Sequence, residues 1–89
     1  MHGKPTSATT ISVEHVVLGQ ALRELRRRRA ITQEELGFRC GKHRNYVGAL
    51  ERGEVNATFR TLLVVTRGLD VPLSLAMRLY ERRRAEERS

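Results

Sequence analysis

Arg44, Asn45, Gly48, Ala49 and Arg52 recur at a spacing that, wound at roughly 100° per residue, gathers them into one arc of about 140° on a helix. The chemistry open to such an arc is recognition of a base edge. A guanidinium fork matches the O6 and N7 acceptors of guanine, and a carboxamide both donates to N7 and accepts from N6 of adenine. Ala49 offers a methyl to thymine, and Gly48 leaves nothing in the way of a close approach. The opposite arc, Tyr46, Val47 and Leu50, is apolar and fit to pack.

Two elements must hold that arc in place. Thr32 is followed at the third residue by Glu35, a capping box, with Ile31 and Leu36 at the two positions of a hydrophobic staple, so a helix begins at Gln33. Gly41 stops it after two turns, where positive φ lets the chain reverse. The second helix runs from about Arg44 to Glu51 and stops at Gly53. Helix, glycine turn and half-apolar helix make a helix-turn-helix, whose second helix is suited to a DNA major groove.

The flanking chain supplies three more helices. Ser12 caps a first helix over Val13–Arg28 with an apolar stripe of Val17, Leu18, Ala21, Leu22 and Leu25, ending in four arginines that complement its dipole or meet phosphate. Thr58 caps a fourth helix ending near Leu69, in which Phe59, Leu62, Val65, Thr66 and Leu69 read as core. Val71 and Pro72 open a fifth over about residues 73–83, with Leu73, Met77 and Tyr80 toward the core. That assignment leaves Leu75 and Leu79, with Val64 of the fourth helix, as an apolar surplus that a second copy of the chain would cover. Residues 1–11 are too polar to offset the entropy of ordering and read as a disordered tail, in which Lys4 is a thin basis for a DNA-binding arm. Residues 12–84 form one domain, and residues 85–89 a fraying, solvated end.

The chain has 89 residues, 17 Lys plus Arg against 10 Asp plus Glu, and a net charge of +7. A domain this small buries only about 60–65% of its unfolded surface, so a partner subunit would add useful stability. The charge favours a polyanion. Nucleic acid fits better than membrane, since no stretch approaches the ~20 apolar residues of a spanning helix. The first ten residues lack the apolar core of a signal peptide, which predicts a cytoplasmic protein. Cys40 is the single cysteine, so no internal disulfide forms, and its side chain is expected to be a buried packing thiol rather than a redox sensor. His2, His15 and His43 share no ligand spacing, and neither a metal nor a cofactor is expected. No nucleophile–base pair, carboxylate dyad or phosphate-cradling glycine loop suggests an enzyme.

Thr32, Gln33, Glu34, Glu35 and Leu36, then Gly41, Tyr46 and Val47, Leu50 to Gly53, and Leu62 with Leu69, resemble the phage-repressor-like (Cro/XRE) helix-turn-helix family over about residues 17–71. Phe38 and Arg39, with His43 to Tyr46, are most similar to its compact single-domain regulators, which include restriction–modification controller proteins. The resemblance implies an all-α fold, a compact five-helix bundle of the lambda-repressor-like DNA-binding type with the helix-turn-helix in helices 2 and 3. It implies a sequence-specific transcriptional regulator that binds double-stranded DNA as a homodimer through its last helices. The operator would be a near-palindrome with half-site centres ~10 bp apart. Gln33 would bond a phosphate, with His43, Arg52, Asn56 and Thr58 as further phosphate contacts. Arg26 and Glu51 would pair between helices 1 and 3.

Two other functions share this fold: the antitoxin of a toxin–antitoxin operon, and a protein-interaction module that no longer reads DNA. Four positions depart from the family pattern. Gly37 replaces an alanine at an expected ~1 kcal/mol of helix propensity, Lys42 replaces an apolar turn residue, His43 is a poorer N-cap than Ser, Thr or Asp, and Ala57 replaces a proline.

Overall fold

A capping side chain opens each of the first four helices in the computed structural model, which describes residues 10–88. Ser12 Oγ accepts from the His15 amide at 3.1 Å and starts α1 (Val13–Arg28). Thr32 Oγ1 accepts from Glu35 at 3.0 Å and starts α2 (Gln33–Cys40). His43 Nδ1 accepts from Asn45 at 3.0 Å and starts α3 (Arg44–Glu51), while Thr58 Oγ1 accepts from Thr61 at 3.1 Å and starts α4 (Phe59–Leu69). Each satisfies an amide that the helix itself cannot. After each of these helices one residue turns left-handed: Ala30, Gly41, Gly53 and Asp70, at φ of 57, 68, 78 and 60°. Beyond the last comes α5 (Leu73–Arg88). The described residues contain no strand.

The core is one cluster. Ala21, Leu22 and Leu25 of α1, Leu36 of α2, Val47 and Leu50 of α3, Val65 and Leu69 of α4, and Ala76 and Leu79 of α5 are all buried, with Ile31 closing the α1–α2 link. α1 lies between α3 and α5, and α2 between α3 and α4. Helices approach closely where a glycine permits it. A Cβ on Gly19 would stand 2.5 Å from the carbonyl oxygens of Leu50 and Glu51, and one on Gly37 would stand 2.6 Å from the Lys42 carbonyl. Gly37 therefore makes room for the α2–α3 turn, and the helix propensity it forgoes is offset by that contact.

Several expectations are corrected. Residues 85–88 do not fray: α5 runs on to Arg88, held to α1 by Arg83 on Glu24 at 2.8 Å and by Arg84 near Glu14 at 3.6 Å. Arg83 and Arg84 are thus cross-links rather than a solvated tail. α5 also packs through a different face. Leu79, expected at an interface between copies, is 3% exposed in the core beside Ala76. Met77 and Tyr80 lie on a half-buried flank instead. The small Ala76 lets α5 lie close to its neighbours, and the inward face turns by about a quarter of a helical turn to follow it. Phe59, expected in the core, is 66% exposed at the start of α4. Ile11, expected in the tail, donates its amide to the Gly53 carbonyl at 2.9 Å. Residues 1–9, with Lys4 and His2, and Ser89 lie outside the described residues.

Candidate nucleic-acid interface

The foundation of the site is a buried ion pair. Arg26 donates from Nε to Glu51 Oε2 at 2.6 Å and from Nη2 to Oε1 at 3.0 Å, and its Nη1 reaches the Ile31 carbonyl at 2.8 Å. Both side chains are almost wholly withdrawn from water. Such a bidentate pair has one geometry, so it fixes the roll of α3 against α1 as well as its distance. Gln33 joins it, donating from Nε2 to Glu51 Oε1 at 2.9 Å. The carboxamide expected on a phosphate is therefore turned inward, and Gln33 ties the start of α2 to the end of α3.

Held this way, α3 buries Val47, Gly48, Leu50 and Glu51 and half-covers Tyr46 and Ala49. Arg44 and Asn45 are exposed, and among the described residues neither side chain has a polar partner. Ala49 is half-buried between them and the core. Gly48 is buried, covered from outside: a Cβ there would meet Arg52 Nη1 at 3.1 Å and Gln33 Oε1 at 3.6 Å. Arg52 itself is largely exposed but paired, Nε to Glu54 Oε2 at 3.0 Å.

The turn that precedes α3 absorbs two of the remaining departures, Lys42 and His43. His43 caps the helix through Nδ1, so this bond leaves Nε2 as the protonated nitrogen. Lys42 lies over the Tyr46 ring with Nζ 5.0 Å from its centre, a cation–π contact in place of apolar packing. At the far side of α3, Asn56 and Thr58 are exposed, but the Thr58 amide donates to the Asn56 carbonyl at 3.2 Å and its hydroxyl caps α4. The uncommitted donors at that corner are the first amides of α4.

Val64 and Leu75 are half-buried, and they do not adjoin. Val64 sits beside Arg39 and Gly68, on the α2 side of α4, whereas Leu75 sits with Arg28, Arg78 and Arg82 on the α1 side of α5. A largely apolar groove lies elsewhere, between α1, α4 and α5, lined by Leu18, Ala57, Leu62, Met77 and Tyr80, with Glu14 and His15 of α1 at its polar side. Cys40 is half-buried with Sγ 3.7 Å from the Val64 carbonyl, and burial pushes its thiol above the ordinary value, against the pull of Lys42. That is the setting of a packing thiol, since a reactive one needs the opposite shift.

Among the contacts with no counterpart in the sequence reading are Arg52 with Glu54, Arg39 with the Gly68 carbonyl at 2.9 Å, and Arg83 with Glu24. The i, i+4 pairs Glu24–Arg28 and Glu35–Arg39 were open to a spacing argument. Arg83 and Glu24 are 59 residues apart, and no local pattern joins them.

A helix-turn-helix family model matches residues 22–75, more than half of the chain and all of α2, α3 and α4. The chain belongs to the Cro/XRE-type helix-turn-helix family. The family is one of DNA-binding transcription regulators. Control protein C.SmaI of Serratia marcescens is 35% identical over 54 residues, 61% of this chain and 64% of that protein, so the match spans a little under two thirds of it. Control protein C.BamHI of Bacillus amyloliquefaciens is 32% identical over 57 residues, 63% of this chain and 70% of that protein. Among solved structures, the restriction–modification controller protein C.AhdI from Aeromonas hydrophila superposes with a TM-score of 0.70 at 37% identity, covering 73% of this chain and 98% of that one. The likeness in fold thus extends beyond the matched segment. No helix among the described residues is long and apolar enough to cross a membrane, and none of them form a group of three or more metal-ligating side chains.

Proposed function

We propose that this protein is a sequence-specific transcriptional regulator of the controller type, binding double-stranded DNA with α3 in the major groove. One observation carries the reading: Arg44 and Asn45, the two side chains on α3 with hydrogen-bonding chemistry for base edges, stand exposed and unpartnered on a helix whose other face is locked by the Arg26–Glu51 pair. Preorganised donors on a rigid element are what base readout requires. A net charge of +7 supplies attraction to phosphate, and such a regulator works where the DNA is, in the cytoplasm.

The protein acts as a two-fold homodimer, which presents two copies of α3 to one face of a near-palindromic operator with half-sites ~10 bp apart. Support for the dimer is the groove lined by Leu62, Met77 and Tyr80, with the exposed Phe59 one turn before Leu62 and Leu63 on α4. A small domain gains most by covering such a surface with its own copy.

Selection of bound duplexes from a random pool, followed by titration of variants, tests the reading. Arg44→Ala and Asn45→Ala are each expected to cost ~1–3 kcal/mol on the selected site and to relax preference at one base pair. Affinity falls by a factor of about 10³–10⁵ between 50 and 200 mM salt if the dimer makes ~6–10 phosphate contacts. A chain that selects no sequence, with both variants binding as the parent does, overturns the proposal.

A further inference from the structure

Among the described residues, Arg52 is the arginine of the reading face that is already engaged. Its Nε donates to Glu54 Oε2 at 3.0 Å, and its guanidinium lies back along α3 over Gly48, with Nη1 3.1 Å from where a Cβ would be. The arginine is exposed, its side chain at 60%, whereas the Glu54 side chain is at 14%. The backbone that carries Glu54 is also held from below. Gly53 turns left-handed at φ 78°, its amide donates to the Leu50 carbonyl at 3.1 Å, and the Glu54 amide donates to the Ala49 carbonyl at 2.9 Å, closing the end of α3. A Cβ on Gly53 would stand 2.7 Å from the Val16 backbone, so this corner is pressed against α1 and cannot swing outward.

From this asymmetry we infer that Glu54 is a positioning residue that restrains Arg52 and thereby sharpens discrimination between operator and random DNA. The inference rests on the DNA-binding reading above and assigns one part of how that site is controlled. Arg52 can extend toward a phosphate, but Glu54 cannot follow it. Among the described residues Arg52 is the only ion-pair partner of Glu54. Extension therefore strips a mostly buried carboxylate of its cation and takes place only when the phosphate contact is close and well aligned. A cognate site, with α3 seated deeply, supplies that contact. A random duplex held at arm's length does not, and Arg52 stays folded over Gly48. Specificity of this kind arises from an element that works against the wrong partner. Gly48 has a part in it, because a Cβ there would stand 3.1 Å from Nη1 and crowd the guanidinium where it rests.

The test is a two-by-two comparison of the parent, Glu54→Gln, Arg52→Ala and the double variant, each titrated with the selected operator and a scrambled duplex over a range of salt. Glu54→Gln is expected to raise affinity for the scrambled duplex severalfold while changing operator affinity less, and to steepen its log–log salt dependence by about one per subunit, the signature of one added phosphate contact. In the Arg52→Ala background the same change is expected to do neither. In the free parent, the Arg52 Nε–Hε resonance should exchange slowly with water, and it should lose that protection in Glu54→Gln. Equal effects of Glu54→Gln with and without Arg52 would reduce Glu54 to a repelling charge and overturn the inference, as would an unprotected Arg52 resonance in the parent. A parent that binds the operator while Glu54→Gln leaves scrambled-duplex affinity and salt slope unchanged overturns this inference alone. A parent that binds no duplex overturns the DNA-binding reading with it.

Discussion

The junction of α1, α2 and α3 and the flank formed by α4 and α5 are built on opposite principles. The junction is held by directional bonds: Arg26, Glu51, Gln33 and the Ile31 carbonyl form a closed buried network, and Gly19 lets two carbonyls of α3 rest against α1. The flank is held mainly by apolar area, with Leu62, Met77 and Tyr80 half-covered and Phe59 in water, and its ion pairs to α1, Arg83–Glu24 and Arg84–Glu14, lie at a wet edge. Directional bonds admit one arrangement. Apolar area admits several, because one greasy face can replace another at small cost. The reading helix is mounted on the rigid part, and the surface suited to a second copy on the adaptable one.

The sharpest way to break this contrast is to remove one partner of the buried pair. Glu51→Gln leaves the Arg26 charge uncompensated and replaces one of the two acceptor oxygens by an NH2 donor, so that Arg26 and Gln33 must share the oxygen that remains, and it is expected to cost ~3–5 kcal/mol in urea unfolding. Against a total stability of about 5–15 kcal/mol for a small domain, that is a large share. Replacing Arg26 by Met together with Glu51 by Leu should return much of the loss, because the cost is that of a lone buried charge. If Glu51→Gln unfolds at the parent's midpoint, the network is not what holds α3.

The two regions also differ in how much of them the sequence discloses. Capping residues, glycine turns and the apolar side of α3 are local signals, and Thr32, Gly41, Val47 and Leu50 stand where spacing puts them. The face of α5 is not local. Leu73, Leu75, Ala76, Met77, Leu79 and Tyr80 offer apolar residues around most of the helix, and periodicity cannot choose among them. The choice was made by Ala76, the smallest of the set, which carries Leu79 inward with it. Among the arginines of residues 26–29 only Arg26 was set apart, by the resemblance that pairs it with Glu51; the other three look alike in sequence, yet Arg28 and Arg29 pair with Glu24 and Asp70, and Arg27 is exposed. Gln33 was assigned to a phosphate by the family resemblance and its place in the first turn of α2, and a carboxylate 18 residues away engages its side chain.

Leu79 sharpens that lesson, since the two assignments of α5 predict different failures. As a core residue it should lose ~2–5 kcal/mol of stability on truncation to alanine, at every protein concentration. Leu75→Ala, at a half-buried position, should lose about 1 kcal/mol. Chemical denaturation at two concentrations checks both. A Leu79→Ala chain that keeps the parent's unfolding midpoint but dissociates in sedimentation would restore the interface role and contradict the core.

Glycine distinguishes the junction from the groove-facing surface a few residues away. Gly19→Ala drives a Cβ into the Leu50 and Glu51 carbonyls, backbone that cannot yield cheaply, and should cost ~1–3 kcal/mol despite the better helix propensity of alanine. Gly48→Ala meets the far end of the Arg52 side chain, which can move, and should gain up to about 1 kcal/mol of propensity. Thermal melts of the two variants should therefore shift in opposite directions. Shifts of the same sign would mean that the α1–α3 approach is looser than its geometry, or that Arg52 is held more firmly.

The smallest effect expected is a pH dependence where α5 meets α1. Glu24 accepts from Arg83 Nη2 at 2.8 Å and Nε at 3.2 Å and also pairs with Arg28. The Arg83 hydrogen bond is the main reason its carboxyl is held below the ordinary value; burial opposes the shift, and the charges of Arg28 and Arg83 add to it. A carboxyl that is more acidic in the folded chain than in the unfolded one contributes stability above its unfolded pKa. That contribution fades as pH falls through the folded value. The site is wet and screened, so its worth at neutral pH is below about 1 kcal/mol. Glu14, also held low, chiefly by a backbone hydrogen bond at the start of α1, titrates in the same direction, so the acid limb of the parent is not due to Glu24 alone. The difference between the parent and Glu24→Gln isolates it. The two should differ at pH 7, converge as the solution is acidified below the ordinary carboxylate range, and differ less at high salt. Curves that run parallel across the acid limb would mean that Arg83 does not hold α5 to α1 through this charge.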